Sequence, residues 1–207
     1  MKKVIAGILC VMALASVCAL GADEAAPAPA PAAKSIAVVA VGPVDSALVD
    51  RVVKFAKENT ALNIRVLPAV ETTGETLDVC AAEGAKGMGA DDAALIVLAS
   101  PSSDIKPHGS FLPEQHQAVV NVKSLVPAGG DAEVLGRRVE REVMQSIGLL
   151  MGVPACPNPQ CAMWQYTTDE ELDAKGRNYC PPCAGAVQQA AAAKGVGVDL
   201  DNASIAP

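Results

Sequence analysis

The sequence predicts an α/β fold: a small mixed, mainly parallel sheet with flanking helices, closed by a cysteine-rich segment near the C-terminus. Three observations carry this expectation. Short β-branched runs alternate with stretches of helical periodicity. Hydrophobic residues make up 51% of the 207 residues but aromatics only 2%, so the core must be built from Val, Leu, Ile and Ala. Residues 36–41 and 93–99 lack polar alternation, which is how strands buried on both faces read. The length suits one domain.

Taken in order, Ile36-Ala37-Val38-Val39-Ala40-Val41 is a buried strand ended by Gly42-Pro43. Asp45 or Ser46 caps the helix that follows, whose apolar face carries Leu48, Val49, Val52, Val53, Phe55 and Ala56. Ile64-Arg65-Val66-Leu67, stopped by Pro68, is a second strand, so the chain opens β-α-β with a parallel pair. A helix is expected over Glu75 to Lys86 and a third strand over Ala93 to Ala99. Ser100 to Glu114, with three prolines, reads as a polar loop. A fourth strand, Ala118 to Val122, is expected at an edge, with its direction open. Asp131 caps a long helix running to about Met151, with Val134, Leu135, Val139, Val143, Ile147 and Leu150 at helical spacing, and Gly152 and Pro154 stop it. An Ala-rich helix over 184–196 precedes a loose tail.

The first residues point to export. Lys2-Lys3 precede an apolar run from Val4 to Leu20, with small residues at Ala19, Gly21 and Ala22: the layout of a signal peptide over 1–22. Residues 23–34 form an Ala/Pro-rich linker, extended because proline fixes φ and removes amide donors. The expected location is therefore secreted or periplasmic, with no stable membrane span after cleavage. The domain is expected over 35–183, with 184–207 as its C-terminal tail. The net charge of −7 argues against nucleic acid, which needs a basic patch, and leaves an unknown peptide or protein as partner.

Outside the leader the cysteines are Cys80, Cys156, Cys161, Cys180 and Cys183. Cys80 stands alone and reads as a small buried apolar residue. The other four make C-x4-C (Cys156, Cys161) and C-x2-C (Cys180, Cys183), two short loops joined by a spacer over 156–183. Such pairs bring four thiolates to one tetrahedral zinc. Two alternatives stand beside this: disulfides, which persist outside the cytosol, and thiol redox chemistry at Cys180-Pro-Pro-Cys183, although the polar DEELDAKGRNY before it supplies no preceding strand.

Gly152, the CPNPQC run at 156–161, Met163 and the YCPPC run ending at Cys183, together with SIAVVAVGPVD at 35–45, resemble the archaemetzincins, a metzincin-related family of zinc metallopeptidases. The resemblance implies a zincin-like α/β fold, a zinc subdomain at the four cysteines, and a helix carrying H-E-x-x-H-x-x-G-x-x-H. Aligned through Gly152 and Cys156, the three ligand histidines fall on Gln145, Leu149 and Ala155, and the general-base glutamate falls on Ser146. None of these can serve: a catalytic zinc needs three protein ligands and a base for its water. The expectation is an exported, non-catalytic pseudo-peptidase with one structural zinc and a binding or structural role, rather than an active zinc metallopeptidase with a divergent site. Leu149 should turn an apolar wall towards the vacated metal position. His108 and His116 read as solvent-facing loop residues, and Asp169 to Asp173 as a solvated turn and helix start.

Overall fold

The computed structural model describes residues 33–71 and 74–199. The expected signal peptide, most of the linker and the last eight tail positions lie outside the described residues. Strands β1 (Ser35–Val41), β2 (Ile64–Val66), β3 (Asp92–Ala99), β4 (Gly109–Leu112) and β5 (Gln117–Asn121) form one sheet in the order β2-β1-β3-β5-β4. All neighbours are parallel except β4, which runs antiparallel to β5.

The period-2 geometry of the strands divides the core into two layers. Ile36, Val38 and Ala40 of β1, with Ala94, Ile96 and Leu98 of β3, face helices α1 (Ser46–Thr60) and α3 (Ala132–Leu150). Ala37, Val39 and Val41, with Leu95, Val97 and Ala99, face α2 (Leu77–Ala85). Both faces are covered, which is why these strands carry no polar alternation. Gly84 lets α2 lie close on the sheet, since a Cβ there would be 2.9 Å from the side chains of Val39 and Val97. Cys80 is buried in this layer, and burial pushes its thiol pKa up, so it acts as a small apolar residue.

The helix caps follow from the sequence. Asp45 accepts the Ala47 N–H at the start of α1, and Asp131 accepts the N–H groups of Glu133 and Val134 at the start of α3. Gly152, at φ +84°, turns the chain out of α3.

Three expectations need correction. The strand at 117–121 lies inside the sheet, parallel to β3, and β4 is the edge; the stretch 100–114 is not all loop. The Gly109-Ser110-Phe111-Leu112 strand is only four residues long and stands among prolines, so its pairing with β5 comes from the fold and not from local preference. Gly109 is required there, because a Cβ would lie 2.4 Å from the Val119 carbonyl oxygen. The chain beyond α5 (Pro181–Ala193) also returns to the domain, with Val196 bridging Lys34 and Val198 bridging Leu62. Among the described residues no helix is long and apolar enough to cross a membrane.

Candidate metal centre and the cleft beside it

Four sulfurs converge after α3. The Sγ atoms of Cys156, Cys161, Cys180 and Cys183 all lie within 4.8 Å of one another, and all four thiols are free. Backbone bonds bring their two loops together. The Cys156 N–H donates to the Met163 carbonyl at 3.0 Å, the Ala162 N–H to the Asn178 carbonyl at 2.8 Å, and the Gly176 N–H to the Pro159 carbonyl at 3.0 Å. Cys161 Sγ accepts the N–H groups of Met163 at 3.5 Å and of Cys180 at 3.4 Å. Donors aimed at a sulfur favour the thiolate, the form that binds a metal, but burial outweighs them and pushes the Cys161 thiol up.

The spacing discriminates between metal and disulfide. Cys156 Sγ and Cys180 Sγ are 3.8 Å apart. A tetrahedron with zinc–sulfur arms of about 2.3 Å has edges of about 3.8 Å, whereas a disulfide needs about 2.05 Å. Donor type, number and spacing therefore fit zinc. Cys180 stands at the N-cap of α5, and the Cys183 backbone N–H holds its thiol pKa below the ordinary value.

Beside this centre a cavity of about 590 Å³ opens between β4 and α3. Gln145, Ser146 and Leu149 line it; Ala155 sits on the exposed turn after α3, outside the lining. The expected apolar wall is not what forms. Leu149 and Phe111 supply apolar surface, but Glu142, Tyr166, His108, Thr167, Thr168 and Asp169 supply a polar one. Beneath it, Lys175 Nζ donates to Gln145 Oε1 and lies 5.1 Å from the centre of the Tyr166 ring. The Gln145 amide oxygen, the one ligand atom among the positions that the resemblance aligns with histidines, is thus already engaged. A catalytic zinc does not fit this set: Leu149 and Ala155 offer no donor.

Burial lowers the Lys175 pKa to about 8, against the pull of Glu142. Burial also raises the Glu142 carboxyl above its usual range, with Lys175 and the Tyr166 hydroxyl opposing it. Glu142 Oε1 is shielded from solvent and has no hydrogen-bond partner.

His108 is not a solvent-facing loop residue. Its Nδ1 is 2.9 Å from the Tyr166 hydroxyl, its ring stacks on Tyr166 with centroids 5.8 Å apart, and its Nε2 is 3.5 Å from Asp169 Oδ1. Burial lowers its pKa, with Asp169 pulling the other way. His116 is exposed, as expected, and takes a left-handed turn conformation at φ 53°. The acidic stretch is a helix start, α4 (Asp169–Ala174), capped by Thr168. It is not simply solvated, because Asp169 and Asp173 both bind the buried Arg138 of α3.

Reasoning from sequence missed Glu142, Tyr166 and Lys175. Glu142 had a weak signal: with Gln145 and Leu149 it occupies one helical face, i, i+3 and i+7, within an otherwise apolar pattern. Lys175, in a polar run, had none.

Residues 114–189 match the family model described as Peptidase family M54. The protein named "Archaemetzincin" from Thermococcus kodakarensis is 34% identical over 70 residues, 32% of this chain and 38% of that protein. One of the same name from Pyrococcus horikoshii is 34% identical over 70 residues, 32% of this chain and 37% of that protein. The chain thus spans about two fifths of the length of the curated relatives it matches. Among solved structures, archaemetzincin from Methanopyrus kandleri aligns with a TM-score of 0.62 at 21% identity, over 76% of this chain and 95% of that one. A zinc-dependent peptidase from Methanocorpusculum labreanum aligns at 0.60 and 19% identity, over 73% and 99%. Both show the fold.

Proposed function

From the premise that the chain is archaemetzincin-like in sequence and fold, we propose that it is an exported, non-catalytic relative of these zinc peptidases. It holds one structural zinc at Cys156, Cys161, Cys180 and Cys183 and uses the cleft between β4 and α3 to bind a peptide or protein segment. One observation carries the non-catalytic reading. The former ligand positions are an amide, an isobutyl group and a methyl group, and the amide oxygen accepts from Lys175. Activating water for peptide hydrolysis needs an open zinc position held by three donors, with a carboxylate in reach. Ser146, where that carboxylate would stand, is no base at neutral pH.

The reading is tested by metal analysis together with a cleavage assay on protein purified from its native host. One zinc per chain, no zinc-dependent cleavage of a mixed peptide library, and loss of the metal in Cys180→Ser are expected. Two zinc ions with chelator-sensitive cleavage would overturn the non-catalytic reading; no zinc and oxidised cysteines would overturn the metal. Export predicts an N-terminus between Leu20 and Asp23, and an intact Met1 on soluble cytoplasmic protein would sink it.

A further inference from the structure

A buried carboxylate oxygen without a partner is uncommon, because the lost hydration is not returned. Glu142 presents one. It lines the cleft from α3, and its Oε1 has neither solvent nor a hydrogen-bond partner. Lys175 does not fill the role: its ammonium donates to Gln145 and makes no ion pair with Glu142 among the described residues, acting on it only through space. A second acid, Asp169, lines the same cavity at the end marked by Thr167 and Thr168. Leu149 and the exposed Phe111 give the cavity apolar walls against which an aliphatic stem can lie.

We propose that the vacated peptidase cleft is a receptor for an organic cation on an aliphatic stem, an alkylammonium or guanidinium group, whose head is taken by Glu142 and whose stem packs on Leu149 and Phe111. This rests on the cleft reading above and adds the class of ligand. A small rotation of the Glu142 carboxyl would turn Oε1, shielded in the unliganded cleft, towards the ligand, whose charge-assisted hydrogen bond would complete the oxygen that the fold leaves unpaired.

The experiment is calorimetric titration of the zinc-loaded full chain with three probes: a capped alanine pentapeptide carrying a central lysine, the same peptide with norleucine, and free cadaverine. The lysine peptide should bind at least about tenfold more tightly than the norleucine peptide, the factor that one ionic hydrogen bond supplies. Glu142→Gln should remove that difference and leave norleucine binding alone. Competition by cadaverine would assign the site to free amines, and lack of competition to peptide-borne ones; both keep the proposal.

A second measurement does not depend on the variant folding. Lys175 and the Tyr166 hydroxyl act directly on Glu142, with His108 and Asp169 lining the same cavity, and the net effect of burial is to favour its protonated form. Cation binding requires the ionised form. Selectivity for lysine over norleucine should therefore grow as pH rises through the acid range. Equal binding of both peptides, no binding of any probe, or selectivity unchanged with pH would overturn the proposal. The zinc and cleavage assays above are independent of these results, so the cleft's ligand class can fail while the non-catalytic reading stands.

Discussion

Gly148 lies where α3 passes over Met163, and a Cβ there would be 2.2 Å from the Met163 sulfur and 3.0 Å from its terminal methyl. Met163 is fully buried, and its backbone N–H donates to Cys161 Sγ, so any shift passes to the metal centre. Gly148→Ala is expected to cost about 1–3 kcal/mol, the usual penalty for overpacking, read as a lower urea midpoint. Reduced zinc retention should accompany it. At this scale the sequence showed what a residue cannot do. Leu149 and Ala155 lack ligand atoms wherever they are placed. What a residue does instead was hidden: the burial of Lys175 and the pairing of His108 with Tyr166 depend on segments 30 and 58 positions apart.

Helix α3 is the element on which the rest of the site depends. Its apolar face meets the sheet, and its other face carries Arg138 and Arg141, both buried against α4 and the chain after it. Arg138 binds Asp173 through two nitrogens at 2.8 and 2.9 Å, and Asp169 at 2.9 Å. Arg141 donates to the carbonyls of Lys175 and Asp173, each at 2.7 Å. Arg138→Ala should destabilise the domain by about 2 kcal/mol, below the loss for a fully buried pair, because the two carboxylates are half exposed and can rehydrate. The pH dependence has a definite sign. Arg138 holds the Asp173 carboxyl below the usual carboxylate range. Its contribution is present above the unfolded carboxylate pKa of about 3.9 and is lost as pH falls through the lower folded value. Acid unfolding of wild type should show this loss, and Arg138→Ala should show less of it, followed by circular dichroism. The helix and its cap were legible from Asp131 and the apolar spacing. The partners of its arginines were not, because periodicity marks which residues face inward but not which charges meet there.

Across the whole molecule, the four-thiol cluster joins the segment after α3 to the start of α5, and α5 packs on the α1–α3 layer through Val187 and Ala191. Structural zinc contributes folding free energy directly, so chelation under reducing conditions should lower the melting temperature and raise hydrogen exchange across 156–183 first. A chelator that leaves both unchanged would mean that the four thiols do not hold the domain. The α/β class, the parallel β1–β2 pair, the long capped helix and the four-cysteine set were all determined by the sequence itself. Each is written in contiguous residues as a period, a cap or a spacing that local geometry must obey. Only the tertiary structure decided that β4 forms the edge, that Gln145, Ser146 and Leu149 line a polar cleft rather than an apolar wall, and that Glu142 is left with an unpaired oxygen. These depend on which side chains from distant segments share one dry volume, and burial, unlike periodicity, is a property no local stretch of chain can set alone.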